Sequence, residues 1–214
     1  MIIFDLDGTL ADCEHRRHLL NPEKYPQLCE YSNYRIIDGK PILDLNGKAS
    51  WRYKATGKPF EHGWKEFYEA CDKDKPIEPV IDFWNDQISL GGLENIMIWS
   101  GRCESVREKT EKWLEKNLLC FESHQLKMRP IGDTTPDDEL KEKWLNQHID
   151  ECVKHENVVR KYSGQNYMER EDHDPEFRKK GYIDVVFDDR PKVIRMWRRH
   201  GIFVFNCCQH DEEF

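Results

Sequence analysis

The sequence contains no apolar run long enough to cross a bilayer, which argues against a membrane-spanning protein. It also has no excess of basic residues: 33 Lys and Arg stand against 41 Asp and Glu, so the formal net charge is −8. A protein that coats DNA binds through a basic surface, so that function is not expected, although a few arginines could still bind phosphate. The eight cysteines form no Cys-x-x-Cys pair and do not have the spacing of a disulfide scaffold. We therefore expect the reduced thiols of a cytoplasmic protein.

The first eleven residues carry the strongest chemical pattern in the chain. A short apolar run ends in Asp5 and Asp7, which are followed at once by Gly8 and Thr9. Open α/β sheets bind ligands at the carboxyl ends of their strands, where a carboxylate such as Asp5 can attack phosphorus or hold a metal. Asp7 could deliver or remove a proton, Gly8 allows a tight turn, and Thr9 offers a hydroxyl and an amide to an anion. Because this strand begins at residue 2, we expect no signal peptide.

Apolar strands alternate with helices over most of the chain. This rhythm predicts an α/β fold, a Rossmann-like and mainly parallel sheet with helices on both faces. Strands are expected at 2–5, 96–99, 126–129, 182–187 and 202–205. Helices are expected at 104–117 and 137–150, with two more that end before Gly91 and Gly201. The polar, aperiodic residues 160–180 predict a surface loop.

Residues 12–75 lack this rhythm and predict an inserted cap, which leaves 1–11 and 76–214 as the core. Within the cap, Asn46-Gly47 predicts a β-hairpin over 41–54, and apolar residues from Trp64 to Cys71 recur at helical spacing. Aromatics and lysines of the hairpin could form a charged stacking surface for a nucleotide, although such aromatics more often anchor a hairpin. They are Trp51, Tyr53, Lys54 and Lys58.

Polar clusters follow three of the predicted strands, and the carboxyl ends of parallel strands meet at one edge of a sheet. Several carboxylates converging there would repel one another unless a divalent cation held them. Oxygen ligands without Cys or His favour Mg²⁺ over Zn²⁺. With a hydroxyl, a lysine and arginines added, the pocket suits a phosphoryl group, whose oxygens need neutralising as bonds change. The clusters are Asp5 with Asp7, Ser100-Gly101-Arg102, and Asp188-Asp189, while Lys141 reaches the same edge from a helix.

The order of these motifs resembles the haloacid dehalogenase (HAD) superfamily of phosphatases: Asp-x-Asp-Gly-Thr, a Ser/Thr strand end, a lysine and an acidic pair. Residues 129–142, 186–190 and 196–201 are in addition similar to the 3′-phosphatase domain of phage polynucleotide kinase. Residues 64–79 resemble stand-alone phage and bacterial relatives of that domain. The Gly-x-x-x-x-Gly-Lys-Ser/Thr loop of the kinase half does not occur in the 214 residues.

This resemblance implies chemical roles for the acidic residues. Asp5 would be the nucleophile that takes the phosphoryl group as an aspartyl phosphate. Asp7 would protonate the leaving oxygen and then activate the water that hydrolyses the intermediate. Asp188 and Asp189 would hold Mg²⁺ together with Asp5 and the carbonyl of Asp7, and one of the pair could also cap the following helix.

The resemblance also implies residues that bind the phosphate. Ser100 would donate to a phosphate oxygen, and Lys141 would neutralise the transferring group and tie Asp5 to the acidic pair; Lys143 is the alternative lysine. Arginines could contact substrate phosphates through two hydrogen bonds each. The expected substrate-binding residues are Thr9, Arg16, Gly101, Arg102 and Arg129.

Three functions follow as hypotheses. The first is a Mg²⁺-dependent phosphatase that removes 3′-phosphate from the ends of DNA or RNA. The second is a phosphatase of small molecules, for instance of 5′-nucleotides. The third is a catalytically silent subunit that binds phosphorylated ends for a separate kinase or ligase. The resemblance further implies phosphorylated nucleic-acid ends or nucleotides as partners, with a separate kinase or ligase as a possible one, and a phage-encoded or bacterial cytoplasmic source. Because there is no long apolar run, we expect no membrane partner.

Overall fold

The computed structural model describes residues 1–38, 40–44, 46–163 and 182–208. The chain divides into two compact units. The core unit consists of Met1–Ala11 and Pro76–Phe214, and the inserted unit consists of Asp12–Lys75. Over the part of the chain that is described, no helix has both the length and the apolar character needed to cross a membrane.

The core unit is built on a five-stranded parallel sheet. Numbered in chain order, its strands are β1 (Ile2–Phe4), β8 (Ile96–Cys103), β9 (Leu126–Arg129), β10 (Val185–Asp188) and β11 (Val204–Asn206). They lie in the order β11-β10-β1-β8-β9. Phe4 pairs with Phe187 on one side and with Ile98 on the other, so the polar residues that follow these strands come to one edge.

Helices cover both faces of this sheet. They are α2 (Glu78–Ser89), α3 (Arg107–Asn117), α4 (Asp137–Ser163) and α5 (Pro191–Arg199), with short 3-10 segments at Leu93–Asn95, Glu104–Val106 and Ser123–Gln125. Successive residues of β1 face opposite sides. Ile3 joins the apolar cluster that contains Trp144 of α4 and Ile194 of α5, whereas Phe4 packs against Trp84 of α2. The predicted α/β architecture is confirmed.

Helix α4 is longer than predicted. It continues beyond residue 150 to Ser163, because neither glycine nor proline interrupts the sequence before Gly164. Residues 160–163 of the predicted surface loop therefore belong to this helix, and residues 164–180 lie outside the described residues.

Strand β8 also runs further than predicted, through Ser100-Gly101-Arg102 to Cys103. Its pairing with β9 shifts between Ser100, opposite Met128, and Cys103, opposite Arg129. An irregularity of this kind bends a strand and redirects its side chains. The motif therefore lies on a distorted strand rather than in the loop after it.

The inserted unit consists of short elements. Its strands are β3 (Cys29–Ser32), β4 (Tyr34–Ile37), β5 (Lys40–Leu43) and β6 (Ser50–Tyr53). Its helical segments are α1 (Trp64–Glu69) and the 3-10 turns Glu14–Leu19, Pro22–Lys24 and Cys71–Lys73. The chain passes between the units through β2 (Ala11–Asp12) and β7 (Lys75–Pro76).

The inserted unit contains a hairpin, but the prediction that it closes on Asn46-Gly47 is wrong. Strand β5 pairs with β4, with Ile37 opposite Lys40, and β6 pairs with β3. Asp38 has a φ of 50°, which suits a tight hairpin turn. The side chain of Asp44 accepts a hydrogen bond from the backbone of Asn46, so this second turn belongs to a wider connection.

Candidate functional site

Three carboxylates of the core unit form a buried acidic cluster. Asp5 follows β1 directly, Asp188 ends β10 and Asp189 comes next, and one oxygen of each lies within 4.8 Å of the others. The parallel register of β1 and β10 produces this contact, because Phe4 and Phe187 are paired and each precedes one of the aspartates. All three residues are at most 4% exposed.

Lys141 provides a buried positive charge inside this cluster. Its Nζ lies 2.8 Å from Oδ1 of Asp5 and 2.9 Å from Oδ2 of Asp188, and its side chain is 1% exposed. Lys143, the alternative from the sequence, is exposed on the same helix. The carboxylate of Asp188 also accepts a hydrogen bond from the backbone N–H of Arg190 just before α5. The same side chain therefore stabilises the local turn and pairs with Lys141.

Burial dominates the electrostatics of this cluster. It raises the pKa of Asp5 well above the usual carboxyl value, against the opposing effect of Lys141, and Asp188 raises the pKa further. Burial alone would lower the pKa of Lys141, but Asp188 and Asp5 raise it above the usual lysine value. Asp5 is therefore a carboxylate that is costly to ionise, beside a lysine that stays protonated.

The donor set of the cluster suits a hard divalent cation. All ligand atoms offered by Asp5, Asp188 and Asp189 are oxygens, and burial leaves the excess negative charge poorly solvated. Gly8 leaves room for the cluster: a Cβ at this position, where φ is +90°, would lie 2.1 Å from Oδ2 of Asp189. Both the backbone conformation and the approach of Asp189 thus require glycine here.

Asp7 is not one of the three clustered carboxylates, and its side chain is held by Arg102. The guanidinium of Arg102 contacts both carboxylate oxygens of Asp7 and reaches the hydroxyl of Thr110 at 3.3 Å. The backbone N–H of Arg102 donates to Oγ of buried Ser100 at 3.1 Å. The structure thus brings together Asp7, Ser100 and Arg102, which were expected to act on the same phosphate.

Thr9 is fully buried at the same turn. Its Oγ1 has no hydrogen-bond partner among the described residues. An unpaired buried hydroxyl is costly, so this atom is available to a bound anion.

Asp137 is a further charged residue of this region, and the sequence motifs did not identify it. It begins α4 and accepts hydrogen bonds from Arg129 at 3.0 Å and from Arg190 at 3.3 Å. Burial alone would raise the pKa of Asp137, but the nearby cations, above all Lys141, lower it. The sequence did contain an indication, because residues four apart on a helix, such as Asp137 and Lys141, lie on one face.

Arg129 and Gly101 contribute to this second network. The guanidinium of Arg129 donates to the carbonyls of Gly101 and Thr135 as well as to Asp137. A Cβ on Gly101 would lie 2.1 Å from Oδ1 of Asp137, so the missing side chain makes room for that carboxylate. Both residues, expected to bind substrate, are engaged in joining β8 and β9 to the start of α4.

Arg16 has a different environment from the one expected for a phosphate-binding residue. It lies in the inserted unit, fully buried, where Nε and Nη2 donate to Asp74 at 2.7 and 2.6 Å. Nη1 donates to the carbonyl of Phe67, and the guanidinium stacks over the Phe67 ring. Arg16 thus forms a buried ion pair with a carboxylate 58 residues away, and its binding of substrate phosphate stays a prediction.

Comparison with known proteins reveals a related family. Residues 60–161 match the family model described as the polynucleotide kinase PNKP phosphatase domain. This stretch contains Ser100, Arg102, Arg129 and Lys141 of the site.

One viral protein is similar in sequence. The chain is 33% identical over 120 residues to a protein of Autographa californica nuclear polyhedrosis virus named "Putative bifunctional polynucleotide kinase/RNA ligase". The alignment covers 56% of this chain and 13% of the viral protein, so the chain spans about an eighth of its relative.

Two solved structures of a Pnkp1/Rnl/Hen1 complex, one described as an RNA repair complex, also match. Each match has 20% identity and covers 96% of this chain. The TM-scores are 0.45 and 0.47, with 41% and 45% of the other chain covered. Similarity at this level is too low to support a conclusion about function.

Proposed function

We propose that this chain, which resembles the phosphatase domain of polynucleotide kinase PNKP over residues 60–161, removes phosphate from the 3′ ends of DNA or RNA. The observation that carries the proposal is the ion pair of buried Asp5 with Lys141, at the carboxyl edge of the sheet. A carboxylate held there beside a cation is placed to attack phosphorus.

In the proposed reaction, an oxygen of Asp5 attacks the phosphorus atom and the ester oxygen leaves. Lys141 neutralises charge that the phosphoryl oxygens bring beside Asp5, and Ser100 donates its hydroxyl to one of them. Asp7 gives a proton to the leaving oxygen. It then takes a proton from the water that attacks the aspartyl phosphate, which restores Asp5 and releases phosphate.

Arg102 has a positioning role toward Asp7 in this scheme. Its two contacts with the carboxylate orient Asp7 before substrate arrives. A guanidinium can also donate to a phosphate oxygen, which would give Arg102 a second role in binding substrate. Asp137, through Arg129 and Arg190, holds the surrounding backbone.

Asp5, Asp188 and Asp189, with the Asp7 carbonyl, would hold Mg²⁺. This ion supplies positive charge that stabilises the transferring phosphoryl group. The all-oxygen donor set and the convergence of three buried carboxylates support this assignment.

The choice of a polynucleotide 3′ end rests on the family match and on residues 129–142. The viral relative is named as both kinase and RNA ligase. Ligases join 3′-hydroxyl ends, so we propose that this chain prepares such ends for a separate ligase or kinase.

The net charge of −8 favours a second candidate, a phosphatase of 5′-nucleotides or other small molecules, because small substrates need no basic track. Its turnover would fall as a nucleotide is extended into a strand. A silent end-binding subunit would turn over neither substrate.

The test compares phosphate release from a 3′-phosphorylated oligonucleotide and its 5′-phosphorylated twin, with Mg²⁺. We expect release from the 3′ end alone, and its loss in Asp5→Asn. Asp82→Asn, the same change at an exposed position of α2, should leave the rate unchanged. Turnover of free 5′-nucleotides with an intact 3′-phosphate would overturn the proposed substrate.

A further inference from the structure

The inserted unit carries a row of aromatic side chains on one face of its β3–β6 pair. Tyr31 lies opposite Trp51 and Cys29 opposite Tyr53, so these residues share a face. The ring centroids of Tyr31 and Trp51 are 5.7 Å apart in an edge-on arrangement. The ring of Tyr53 continues the row and lies 4.4 Å from Phe60.

One end of this row is packed and the other is open. Cys29 is 2% exposed, and Tyr53 is braced by Phe60 and by the ring of His18 at 5.9 Å. Tyr31, in contrast, is 64% exposed, and Trp51 beside it is partly exposed. Core packing therefore explains the position of Cys29 and Tyr53, but it does not explain why the rings of Tyr31 and Trp51 are exposed to solvent.

Positive charge accompanies the row. Residues 40–58 contain five basic residues and one acidic residue, in a chain whose net charge is −8. Arg52 among them is structural, because it is buried and donates to the carbonyls of Ser32 and Gly57. The lysines are exposed, and two of them lie next to Tyr53. Lys54 follows it in sequence, and the backbone carbonyl of Lys58 accepts a hydrogen bond from its backbone N–H at 3.1 Å.

We propose that the Tyr31–Trp51 end of this row, with Lys54 and Lys58, binds a single strand of nucleic acid. Bases stack on aromatic rings whatever their sequence, because every base has a π-face, and lysines neutralise the phosphates between them. A duplex keeps its bases stacked on one another and cannot use the surface in this way. The inference deepens the proposed function, on which it rests, by naming an unpaired strand as the substrate class.

The binding test avoids catalysis. A fluorescein-labelled ten-nucleotide strand with a 3′-hydroxyl, prepared as DNA and as RNA, is titrated with protein and followed by fluorescence anisotropy. The double variant Tyr31→Ala/Trp51→Ala should bind at least about fivefold more weakly than wild type, since the loss of one stacked base alone weakens binding about five- to hundredfold. Tyr31→Phe/Trp51→Phe, which keeps both rings, should bind like wild type. Phe203→Ala, which removes a 63% exposed ring from the core unit, is the matched control and should also bind normally.

A second readout separates this inference from the proposed function. Hydrolysis of p-nitrophenyl phosphate requires the catalytic residues only, so the alanine double variant should retain the wild-type rate, which also verifies that it is folded. On a 3′-phosphorylated strand its KM should rise with little change in kcat.

Equal binding and KM for wild type and double variant would overturn the inference while leaving the 3′-phosphatase intact. Equal wild-type affinity for a blunt duplex would overturn it as well. A wild type that hydrolyses p-nitrophenyl phosphate and no 3′-phosphorylated strand would refute the proposed function instead.

Discussion

Replacing Lys141 with methionine tests whether one buried cation holds the acidic cluster together. Its Nζ lies 2.8 Å from Asp5 and 2.9 Å from Asp188. At an effective dielectric constant of about 20, a charge pair at such a distance is worth roughly 6 kcal/mol before the cost of burial is subtracted. Removing one partner of a buried pair costs about 3–5 kcal/mol net, because the other charge stays buried. We expect Lys141→Met to lose about that much unfolding free energy at pH 8, and its phosphatase activity with it.

The loss should depend on pH in a definite direction. Burial raises the pKa of Asp5 in the folded state, and removing Lys141 raises that pKa further. A carboxyl group whose folded pKa is raised contributes stability below its ordinary pKa, and this contribution disappears as pH rises through the folded value. The deficit of the Lys141→Met variant should therefore shrink at pH 5, where Asp5 takes up a proton more readily.

Urea denaturation without divalent cations, followed by the fluorescence of the buried tryptophans, measures this free energy at both pH values. Phosphate release from a 3′-phosphorylated strand measures activity. Lys143→Met, an exposed lysine two residues along α4, should change stability by no more than about 0.5 kcal/mol. Wild-type stability of Lys141→Met at pH 8, or equal deficits at pH 5 and pH 8, would refute the electrostatic argument.

Two further predictions concern charge in the two units. Mg²⁺ should raise the melting temperature more at pH 8 than at pH 5, because it binds ionised carboxylates and the raised pKa of Asp5 favours protonation in acid. Thermal scans measure this increase. An equal increase at both pH values, or an unreduced increase in the Asp189→Asn variant, would mean that the ion binds elsewhere. Arg16→Leu should cost about 3–5 kcal/mol in urea denaturation, because it leaves Asp74 buried without its bidentate partner, and adding Asp74→Leu should recover most of the loss. Unchanged stability with weaker substrate binding would instead restore a phosphate-binding role for Arg16.

The features of the fold and of the site that depend on residues close together in sequence could be predicted from the sequence. Asp5 follows three apolar residues, and a buried strand that ends in a carboxylate is a local pattern. Alternation of apolar strands and helices predicted the parallel sheet, because such connections leave few other arrangements. The same logic predicted that the polar residues at the carboxyl ends of β1, β8 and β10 would meet at one edge of that sheet.

The partners of individual charges were decided by the tertiary structure. Two residues along a helix turn a side chain by about 200°, so only the docking of α4 determines that Lys141 enters the cluster and Lys143 faces solvent. Asp137 meets Arg190 across 53 residues of chain. Likewise Asp74 meets Arg16 across 58 residues.

The position of the hairpin in the inserted unit was also decided by the tertiary structure. Asp38-Gly39 and Asn46-Gly47 are both good turn dipeptides, and local preference does not choose between them. The structure pairs β4 with β5 and β3 with β6, so contacts between segments that are distant in sequence select the first dipeptide. The sequence by itself thus determined the strands and helices of the core unit and the chemistry available, since these depend on short-range preferences. Which charges and strands became partners depended on contacts between distant residues, and only the folded chain provides those.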